Sequence, residues 1–560
     1  MNAAEMRAPG HPMGRLTRRE FIGRHVAAGG AAAVLLGLAA AAPAGAASKG
    51  GAPVVLTLFG LPTRLVGSTE ITAAYVRLLI HDVLARPDWN TGKPQPRLAE
   101  RWSRSADGRS YTVALRSATF QDGRPVTADD VKFSYEFYLH PQYPDTDEAL
   151  LEIDGAQAYK QGRAPAVSGI TVVDPRTVRF TLTRRYAFFV EGILGAEIMP
   201  RHAWVGVDMG RMLEHPYARQ PVGAGPFRLT DWKQNDSMSF AAFPGYWNGR
   251  PEVDRAVIRW IPEPATLEAE LRAGHVDAAV ILPDDFPAFQ RDPRVRPLRM
   301  TAEYCYWFGF NHKHPFFQDV RVRRALAQAV DRDTMMRTLA RGYGRTVNSI
   351  IPPQAPLYNA SLTGHRYDPA EARNLLREAG FAPGPDGILQ KDGRPFRVRY
   401  SFLSEKRYQD VGLVVQQYLR EVGVDITLQP LERGQFFGRF WQPANAPNIE
   451  MVGLSYYVLW PVEPLQASLE YAFLSTTGWA RNLQYSNPEV DGLLREAASA
   501  VDPGVLKTIY YRLQEVLVND VAWVVLYRPD ELWALRRRIE PPPVHELAQL
   551  FDSVARWHVT

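Results

Sequence analysis

Hydrophobic and polar residues alternate over short stretches of the chain, and the period changes repeatedly from that of a strand to that of a helix. Between residues 177 and 182, Val178, Phe180 and Leu182 alternate with polar residues, which is typical of a half-buried β-strand. No fixed-period repeat follows residue 46. Short strands and helices are therefore expected to alternate along the chain.

The stretch from 396 to 428 shows this alternation most fully. Two strands are predicted by apolar residues at every second position, namely Phe396, Val398 and Tyr400, and then Val424, Ile426 and Leu428. A helix over 408–422 is predicted between them by apolar residues on one face, namely Val411, Val414, Val415, Tyr418 and Leu419. A strand, a helix and a strand in so short a segment indicate a parallel βαβ unit.

Three helix starts are marked by their capping residues. Asp368 and Asn487 each precede a proline and an apolar periodic segment, and Thr127 is followed by Asp130 at the spacing of a capping box. Asp or Asn accepts a hydrogen bond from the free N–H groups of the first turn, where proline loses no bond. These signals predict folding elements and carry no chemistry.

Composition narrows the class of protein. The chain has 560 residues, of which 46% are hydrophobic and 22% are charged, which fits a soluble globular protein of more than one domain. It contains 13 Trp, 24 Tyr and 25 Phe. Most of these aromatic residues are expected in hydrophobic cores, and a smaller set is a candidate lining for a ligand cleft, because Trp and Tyr combine an apolar ring with a polar atom.

The charge balance argues against nucleic acid as a partner. The net charge is +5, and residues 1–46 hold five Arg against two Glu, so the rest carries only about +2. The longest basic run is Arg536–Arg538, which is expected to be a solvated face. Cys305 is the single cysteine, so an intrachain disulfide and a multi-cysteine metal site are excluded, and we expect a buried, inert thiol.

The first 46 residues have the pattern of an export signal. A basic segment with Arg18-Arg19 precedes an Ala/Gly-rich apolar stretch over 26–42, and Ala44-Gly45-Ala46 offers a cleavage site. The paired arginines resemble a twin-arginine signal. The alternative is a membrane anchor. We consider an export signal the better interpretation, because glycines interrupt the apolar stretch. We therefore predict cleavage near Ala46 and an exported, periplasmic protein without a lipid anchor, since no cysteine follows the site.

Local motifs of catalysis or metal binding are incomplete. His545-Glu546 begins like a zinc-protease helix, but Gln549 stands where the second histidine is required. His312 and His314 have no evident third ligand. The chain also lacks a P-loop and a G-x-S-x-G elbow. We therefore predict no enzyme, no cofactor and no metal, although a catalytic triad assembled in space has no local signature.

A longer pattern resembles a known family. Residues 96–138 read PRLAERWSRSADGRSYTVALRSATFQDGRPVTADDVKFSYEFY. Further matches follow in family order: PVGAGPFRLTDW (221–232), GYWNGRPEVDRAVIRWIP (245–262), LRAGHVDAAV (271–280), FFQDVRVRRALAQAVDRDTMM (316–336), YDPAEARNLLREAGF (367–381), YSNPEVDGLLREA (485–497) and YYRLQEVLVNDVAWVVLY (510–527). Together they resemble the oligopeptide/dipeptide class of extracellular solute-binding proteins, family 5, over nearly all of the chain after residue 46.

The resemblance implies a two-lobed, periplasmic-binding-protein-like α/β fold with three subdomains and a ligand cleft between the lobes. The implied segments are a signal peptide (1–46), domain I (47–95, 221–308 and 523–560), domain II (96–220) and domain III (309–522). The hinges would lie near 306–311 and 522–528. Ligand would shift the population towards the closed lobes, which dock on a membrane permease.

The expected peptide site departs from the family pattern. In peptide-binding relatives, an aspartate in a G-W-x-x-D-Y-x-D/E-P stretch pairs with the α-amino group of the ligand. Aligned from Gly453 its position is Tyr457, and aligned from Glu463-Pro464 it is Trp460, so neither residue is acidic. A buried ammonium without a partner costs several kcal/mol. A free amino terminus is therefore recognised only if Glu463 or an acid elsewhere replaces the aspartate.

The candidate ligand-binding residues follow from this stretch. We predict that Ser455, Tyr456, Tyr457 and Trp460 form an aromatic, hydrogen-bonding wall, with packing in the core of domain III as the alternative. Further candidates are Glu463, Trp441 and Arg439, the last for a ligand carboxylate.

The predicted function is a monomeric periplasmic binding protein that delivers a small polar solute, peptide or peptide-like, to the permease of an ABC importer after export by the twin-arginine machinery. Opines, sugars, glutathione and nickel chelates are alternative ligands. A periplasmic hydrolase on the same scaffold is the alternative from another class, and a chaperone-like protein is a third.

Overall fold

The computed structural model describes residues 52–440, 449–458 and 482–560, apart from 59, 69 and 145, together with the positions 469, 472 and 473. The predicted signal peptide and the candidate residues Trp441, Trp460 and Glu463 lie outside this described part. Within it, no helix has the length and apolar character needed to cross a membrane.

Short strands are distributed along the whole described chain. They are β1 (Val54–Leu58), β2 (Ala85–Pro87), β3 (Pro94–Pro96), β4 (Ala99–Arg104), β5 (Ser110–Leu115), β6 (Ile170–Asp174), β7 (Thr177–Thr181), β8 (Phe227–Lys233), β9 (Ser237–Ala242), β10 (Arg255–Trp260), β11 (Ala278–Val280) and β12 (Val295–Thr301). They continue with β13 (Tyr304–Phe310), β14 (Gly344–Arg345), β15 (Ala382–Pro383), β16 (Leu389–Lys391), β17 (Arg394–Pro395), β18 (Arg397–Leu403), β19 (Asp425–Leu431), β20 (Met451–Tyr457), β21 (Trp523–Arg536), β22 (Ile539–Glu540) and β23 (His558–Val559).

Helices connect and cover these strands. They are α1 (Ile71–Ile80), α2 (Ala128–Tyr138), α3 (Ala156–Lys160), α4 (Arg201–Trp204), α5 (Pro216–Arg219), α6 (Pro264–Ala273), α7 (Phe286–Gln290), α8 (Val320–Ala329), α9 (Arg332–Leu339), α10 (Pro369–Glu378), α11 (Lys406–Glu421), α12 (Arg433–Phe440), α13 (Pro488–Ser499), α14 (Pro503–Asn519) and α15 (Leu547–Asp552).

The predicted local elements are confirmed. β18 and β19 pair in parallel with α11 between them, which is the βαβ unit expected from 396–428. The side chains of Asp368 and Asn487 accept hydrogen bonds from the first turns of α10 and α13, and Thr127 and Asp130 form both halves of a capping box on α2. Cys305 is buried, as predicted. Capping residues therefore set these helix starts as the sequence indicates.

One mixed sheet dominates the described structure. Its strands lie in the order β19-β18-β20-β13-β21-β11-β1-β10-β9-β8, and β12 and β14 also pair with β21. The long strand β21 lies in the middle of the sheet and joins its two halves. Residues 523–527 pair with β13, whereas residues 530–536 pair with β12. The chain also passes between β12 and β13 through Ala302 and Glu303. We call residues 302–303 and 528–529 the crossing segments.

The parallel strands on both sides end towards the crossing segments. On one side β20 is parallel to β18, and its last residue, Tyr457, lies opposite Tyr304 at the start of β13. On the other side β11 is parallel to β1. The first residue of β11, Ala278, lies opposite Leu535, and its last residue, Val280, lies opposite Trp533, which is nearer the middle of β21. The carboxyl ends of both sets of parallel strands therefore face one region.

Candidate functional site

The region beside the crossing segments is the place where a ligand site is expected. In open α/β sheets, ligands bind outside the carboxyl ends of parallel strands, because the loops that follow these ends are free to carry binding groups. Two sets of such ends face this region, so side chains from both sides of the sheet can reach one ligand. We describe the site from the aromatic residues that the strands place there.

Five tyrosines gather at this point, and we call them the tyrosine cluster: Tyr304 and Tyr306 of β13, Tyr408 of α11, Tyr457 of β20 and Tyr527 of β21. The ring centres of Tyr304 and Tyr457 lie 4.9 Å apart. Those of Tyr306 lie 5.0 Å from Tyr527 and 6.0 Å from Tyr408. Tyr304 and Tyr457 are half-buried, whereas the other three are buried. Tyr304 and Tyr457 are therefore the residues of the cluster that solvent or a solute can reach.

Strand register explains why the tyrosines share a face. Tyr304 lies opposite Tyr457, and Tyr306 lies opposite Ser455, so alternate residues of two strands point to the same side. A β-bulge then changes the register of β21, because Tyr306 pairs with Tyr527 while Trp307 pairs with Val525. One extra residue moves Tyr527 to the face of Tyr306. Without this bulge, Tyr527 would point to the opposite side of the sheet.

Polar contacts hold the buried part of the cluster. The hydroxyl oxygens of Tyr408 and Ser455 lie 2.7 Å apart and share a hydrogen bond. Burial raises the pKa of the Tyr306, Tyr457 and Tyr527 hydroxyls, so these groups stay neutral at physiological pH. Neutral hydroxyls both donate and accept hydrogen bonds, so they can bind donor groups and acceptor groups of a polar solute.

Two charged side chains act on the cluster, one through contact and one through its charge. Arg407 at the start of α11 pairs with Glu405 at 2.8 Å, and its guanidinium lies 4.8 Å from the ring centre of Tyr408. Burial lowers the pKa of Arg407. The neighbouring tyrosines, Tyr408 above all, have a larger opposite effect, so the pKa is raised overall. Glu531 of β21 is half-buried, and burial raises its pKa to about 7 against the opposing effect of Arg407.

The crossing segments are held by a buried arginine. Arg528 is fully buried, and its guanidinium donates to the carbonyl oxygen of Ala302 at 2.8 Å and to that of Ile350 at 2.7 Å. Within 4 Å, no carboxylate of the described residues pairs with it. Burial lowers the pKa of Arg528. The arginine thus joins both crossing segments to the segment that follows β14.

Buried carboxylates lie on the other side of the same crossing. The Glu303 carboxylate accepts hydrogen bonds from the Tyr75 hydroxyl and, at 2.7 Å, from the backbone N–H of Ala548. Glu546 is also buried, and burial, with the Glu303 charge as the second cause, raises its pKa to about 8. The Gln354 side-chain amide donates to Glu546. Nothing in this arrangement resembles the zinc helix that His545-Glu546 suggests, and among the described residues no group of three or more metal-binding side chains occurs.

The predicted site residues are placed in different surroundings. Ser455 and Tyr457 lie on the face of the tyrosine cluster, whereas the ring of Tyr456 points to the opposite face and lies 5.6 Å from Trp523. Arg439 is exposed on α12. Sequence reasoning missed Tyr304, Tyr306, Tyr408, Tyr527, Arg407 and Glu531. The spacing of Tyr304 and Tyr306 in a strand was a usable signal, but the bulge that positions Tyr527 has none.

Comparisons with known proteins give the family. The model of "bacterial extracellular solute-binding proteins, family 5 Middle" matches residues 93–472. Oligopeptide-binding protein AppA of Bacillus subtilis is 25% identical over 531 residues, which cover 92% of this chain and 93% of AppA. Heme-binding protein A of Haemophilus influenzae is 28% identical over 449 residues, with 77% and 78% covered.

Solved structures of similar proteins confirm the predicted two-lobed α/β fold of periplasmic binding proteins. AppA of Bacillus subtilis in complex with a nonapeptide has a TM-score of 0.76 at 23% identity, with 91% of this chain and 99% of AppA covered. NikZ of Campylobacter jejuni in complex with Ni(L-His) also has a TM-score of 0.76, at 22% identity, with 90% and 99% covered. Because the family model spans most of its length, the chain belongs to the bacterial extracellular solute-binding proteins of family 5.

Proposed function

We propose that this protein captures a small polar, peptide-like solute outside the cytoplasm and delivers it unaltered to an ABC importer. The observation that carries the proposal is the tyrosine cluster, which lies where the carboxyl ends of both sets of parallel strands meet. Family membership supports solute binding, and the name oligopeptide-binding protein, given to AppA, supports a peptide-like ligand. A second relative, di/tripeptide-binding protein 2 of Pseudomonas aeruginosa, is 26% identical over 467 residues.

The chemistry of the site fits a solute with polar ends and an extended body. The half-buried rings of Tyr304 and Tyr457 offer flat apolar surface, and the tyrosine hydroxyls offer hydrogen bonds. Arg407 lies over the ring of Tyr408 in the same cluster, so it is better placed than the exposed Arg439 to meet a carboxylate of the solute. In this proposal Ser455 supports the site through Tyr408, and Tyr456 acts only in packing.

Closure would occur about the crossing segments. We propose hinges at 302–303 and 528–529, where the chain passes from one set of strands to the other. These hinges move the predicted boundaries between domain I and domain III from 308/309 and 522/523 to the crossing segments, and domain II stays at 96–220. A solute that contacts both sides binds the closed form better than the open form, so it shifts the population towards closure. The closed form would then dock on the permease as a monomer.

Export would follow the twin-arginine pattern of residues 1–46. The family description as extracellular supports a location outside the cytoplasm. The route and the cleavage near Ala46 rest on the sequence pattern alone. No cofactor enters this proposal, because binding and release of a solute need none.

Native mass spectrometry of the protein purified from its own exported fraction tests this function. We expect a small molecule to co-purify, and the same mass to be recovered after prolonged incubation with the protein. A matched sample that has been unfolded, stripped of solute and refolded should rebind the released compound. Conversion of the compound into products would favour a hydrolase, and weak binding of many unrelated peptides without a preferred solute would favour the chaperone-like alternative.

A further inference from the structure

A turn beside the crossing segments passes from one hydrophobic core to another within three residues. Ala340, directly after α9, is buried in the core that contains β13 and β20. Tyr343 packs against a separate core, which contains Phe286 of α7. The chain returns to the first core at Val347. Residues 341–345 therefore reach from the predicted domain III onto domain I, and we call them the clasp.

The ring and the backbone of Tyr343 are both held on the domain I side. The ring centre lies 5.3 Å from that of Phe286, in an edge-to-face arrangement. The guanidinium of Arg299 lies 5.5 Å from the centre of the same ring. The carbonyl oxygen of Tyr343 accepts a hydrogen bond from the backbone N–H of Asp530 at 3.1 Å. These contacts make Tyr343 the seat of the clasp.

The backbone of the clasp is shaped for this crossing. Arg341 and Gly342 have positive φ angles of 51° and 80°, and a residue other than glycine adopts this left-handed region at some cost. Gly344 then approaches β21 so closely that a Cβ atom would lie 2.8 Å from the carbonyl oxygen of Arg528. The conformation of the turn is therefore stabilised by its contacts with domain I and the crossing segments.

An exposed ion pair joins the clasp to the surface of domain I. The Nε atom of Arg341 lies 2.5 Å from the Asp284 carboxylate, and the two side chains are 52% and 66% exposed. Asp284 follows the carboxyl end of β11, so it lies on the side of domain I that faces the proposed cleft. An ion pair between two such surfaces is made when the surfaces are together and is lost when they separate.

We propose that the clasp and Asp284 form an ionic contact between the two lobes, which favours the closed form of the protein. The inference rests on the proposed closure about the crossing segments and adds a means of regulating it. Tyr343 seats the turn beside the hinge, and the Arg341–Asp284 pair supplies the part of the contact that depends on charge.

The expected size of this effect is that of an exposed ion pair. Such a pair shifts an equilibrium by about fivefold at most. Affinity for a solute that needs the closed form changes by up to the same factor, because binding is reduced by the fraction of the protein that is competent to bind. Salt screens exposed charges, so ionic strength outside the cytoplasm adjusts affinity without any change at the tyrosine cluster.

Single-molecule fluorescence energy transfer between two dyes measures the separation of the lobes. Asp231→Cys on β8 and Leu413→Cys on α11 provide exposed labelling sites near the two ends of the large sheet. The natural Cys305 is buried and does not compete for the dyes. In protein stripped of solute, at about 0.1 M NaCl, we expect Arg341→Asp to raise the ratio of open to closed molecules about fivefold.

Exchange of the two charges is the decisive variant. Asp284→Arg should have the same effect as Arg341→Asp, and the two changes together should return the ratio to within about twofold of wild type, because the pair forms again. At about 1 M NaCl each single variant should differ from wild type by less than about twofold. Arg211→Asp reverses an exposed arginine that pairs with Glu214 within domain II, and it should leave the ratio unchanged.

The outcomes separate the clasp from the function on which it rests. The role of the ion pair is wrong if neither single variant shifts the ratio, if either one lowers it, if the Arg211→Asp control shifts it equally, or if the exchange fails to restore it. The measurement needs no solute, so a failure of solute capture leaves it intact. A wild-type protein with one fixed lobe separation would overturn the proposed closure and the clasp together. Thermal unfolding of each variant shows that the fold is kept.

Discussion

Replacing both Tyr304 and Tyr457 with alanine is expected to weaken solute binding about a hundredfold, or ~2.7 kcal/mol. These two rings lie 4.9 Å apart and are the half-buried members of the tyrosine cluster, so a bound solute would cover them. Each truncation removes apolar contact area and a hydroxyl, and neither leaves a charge without its partner. The measurement is calorimetric titration of the stripped protein with the co-purified solute.

A matched pair of tyrosines serves as the control for this prediction. Tyr367 and Tyr418 also contact each other, with ring centres 5.8 Å apart, and Tyr367 is 38% exposed. Their double replacement by alanine removes the same atoms away from the crossing and should leave affinity unchanged. Equal loss of affinity in both double variants would indicate a general effect on folding, and unchanged affinity in the Tyr304 and Tyr457 variant would remove the cluster from the site.

Replacement of Asp82 with alanine is expected to destabilise the protein by about 3–5 kcal/mol. Asp82 is fully buried, and its carboxylate pairs with Arg97. It also accepts hydrogen bonds from the Trp247 indole at 2.7 Å and the Tyr246 hydroxyl at 3.1 Å. Loss of the carboxylate leaves a largely buried arginine and two polar groups without their acceptor, which explains the large expected effect.

Denaturant unfolding measures this loss, with Asp231→Ala on the exposed face of β8 as the control. Asp82→Asn should fall between the two, since the amide oxygen still accepts hydrogen bonds but carries no charge. A loss below 1 kcal/mol for Asp82→Ala would contradict the account of this network. Arg97 belongs to the family motif at 96–138, and Tyr246 and Trp247 belong to the motif at 245–262. The measurement therefore also tests whether these motif residues stabilise the fold.

Elements set by local rules were predictable from the sequence. The βαβ unit over 396–428 follows from the change of hydrophobic period, and three helix starts follow from Thr127, Asp368 and Asn487. These features depend on residues within one turn or one strand of each other. The order of strands in the large sheet depends on contacts between distant segments and was not predicted, whereas the two-lobed fold was predicted through the family resemblance.

The candidate site was only partly predictable for the same reason. The segment around Ser455 and Tyr457 was identified from a motif, and both residues lie on the face of the cluster. Tyr456 lies between them in sequence, but strand alternation turns its ring towards Trp523. Tyr527 comes from a strand about 70 residues away and meets Tyr306 because β21 crosses between the two sets of strands. The bulge opposite Tyr306 has no signature in the sequence.

A crystal structure of the protein with its co-purified solute tests the central claim most directly. The account predicts that the intact solute lies between the two sets of strands. Its atoms should be within about 4 Å of the Tyr304 and Tyr457 rings, which is the usual separation of atoms in contact. A solute bound elsewhere, or a complex in which these rings pack only against protein, would contradict it.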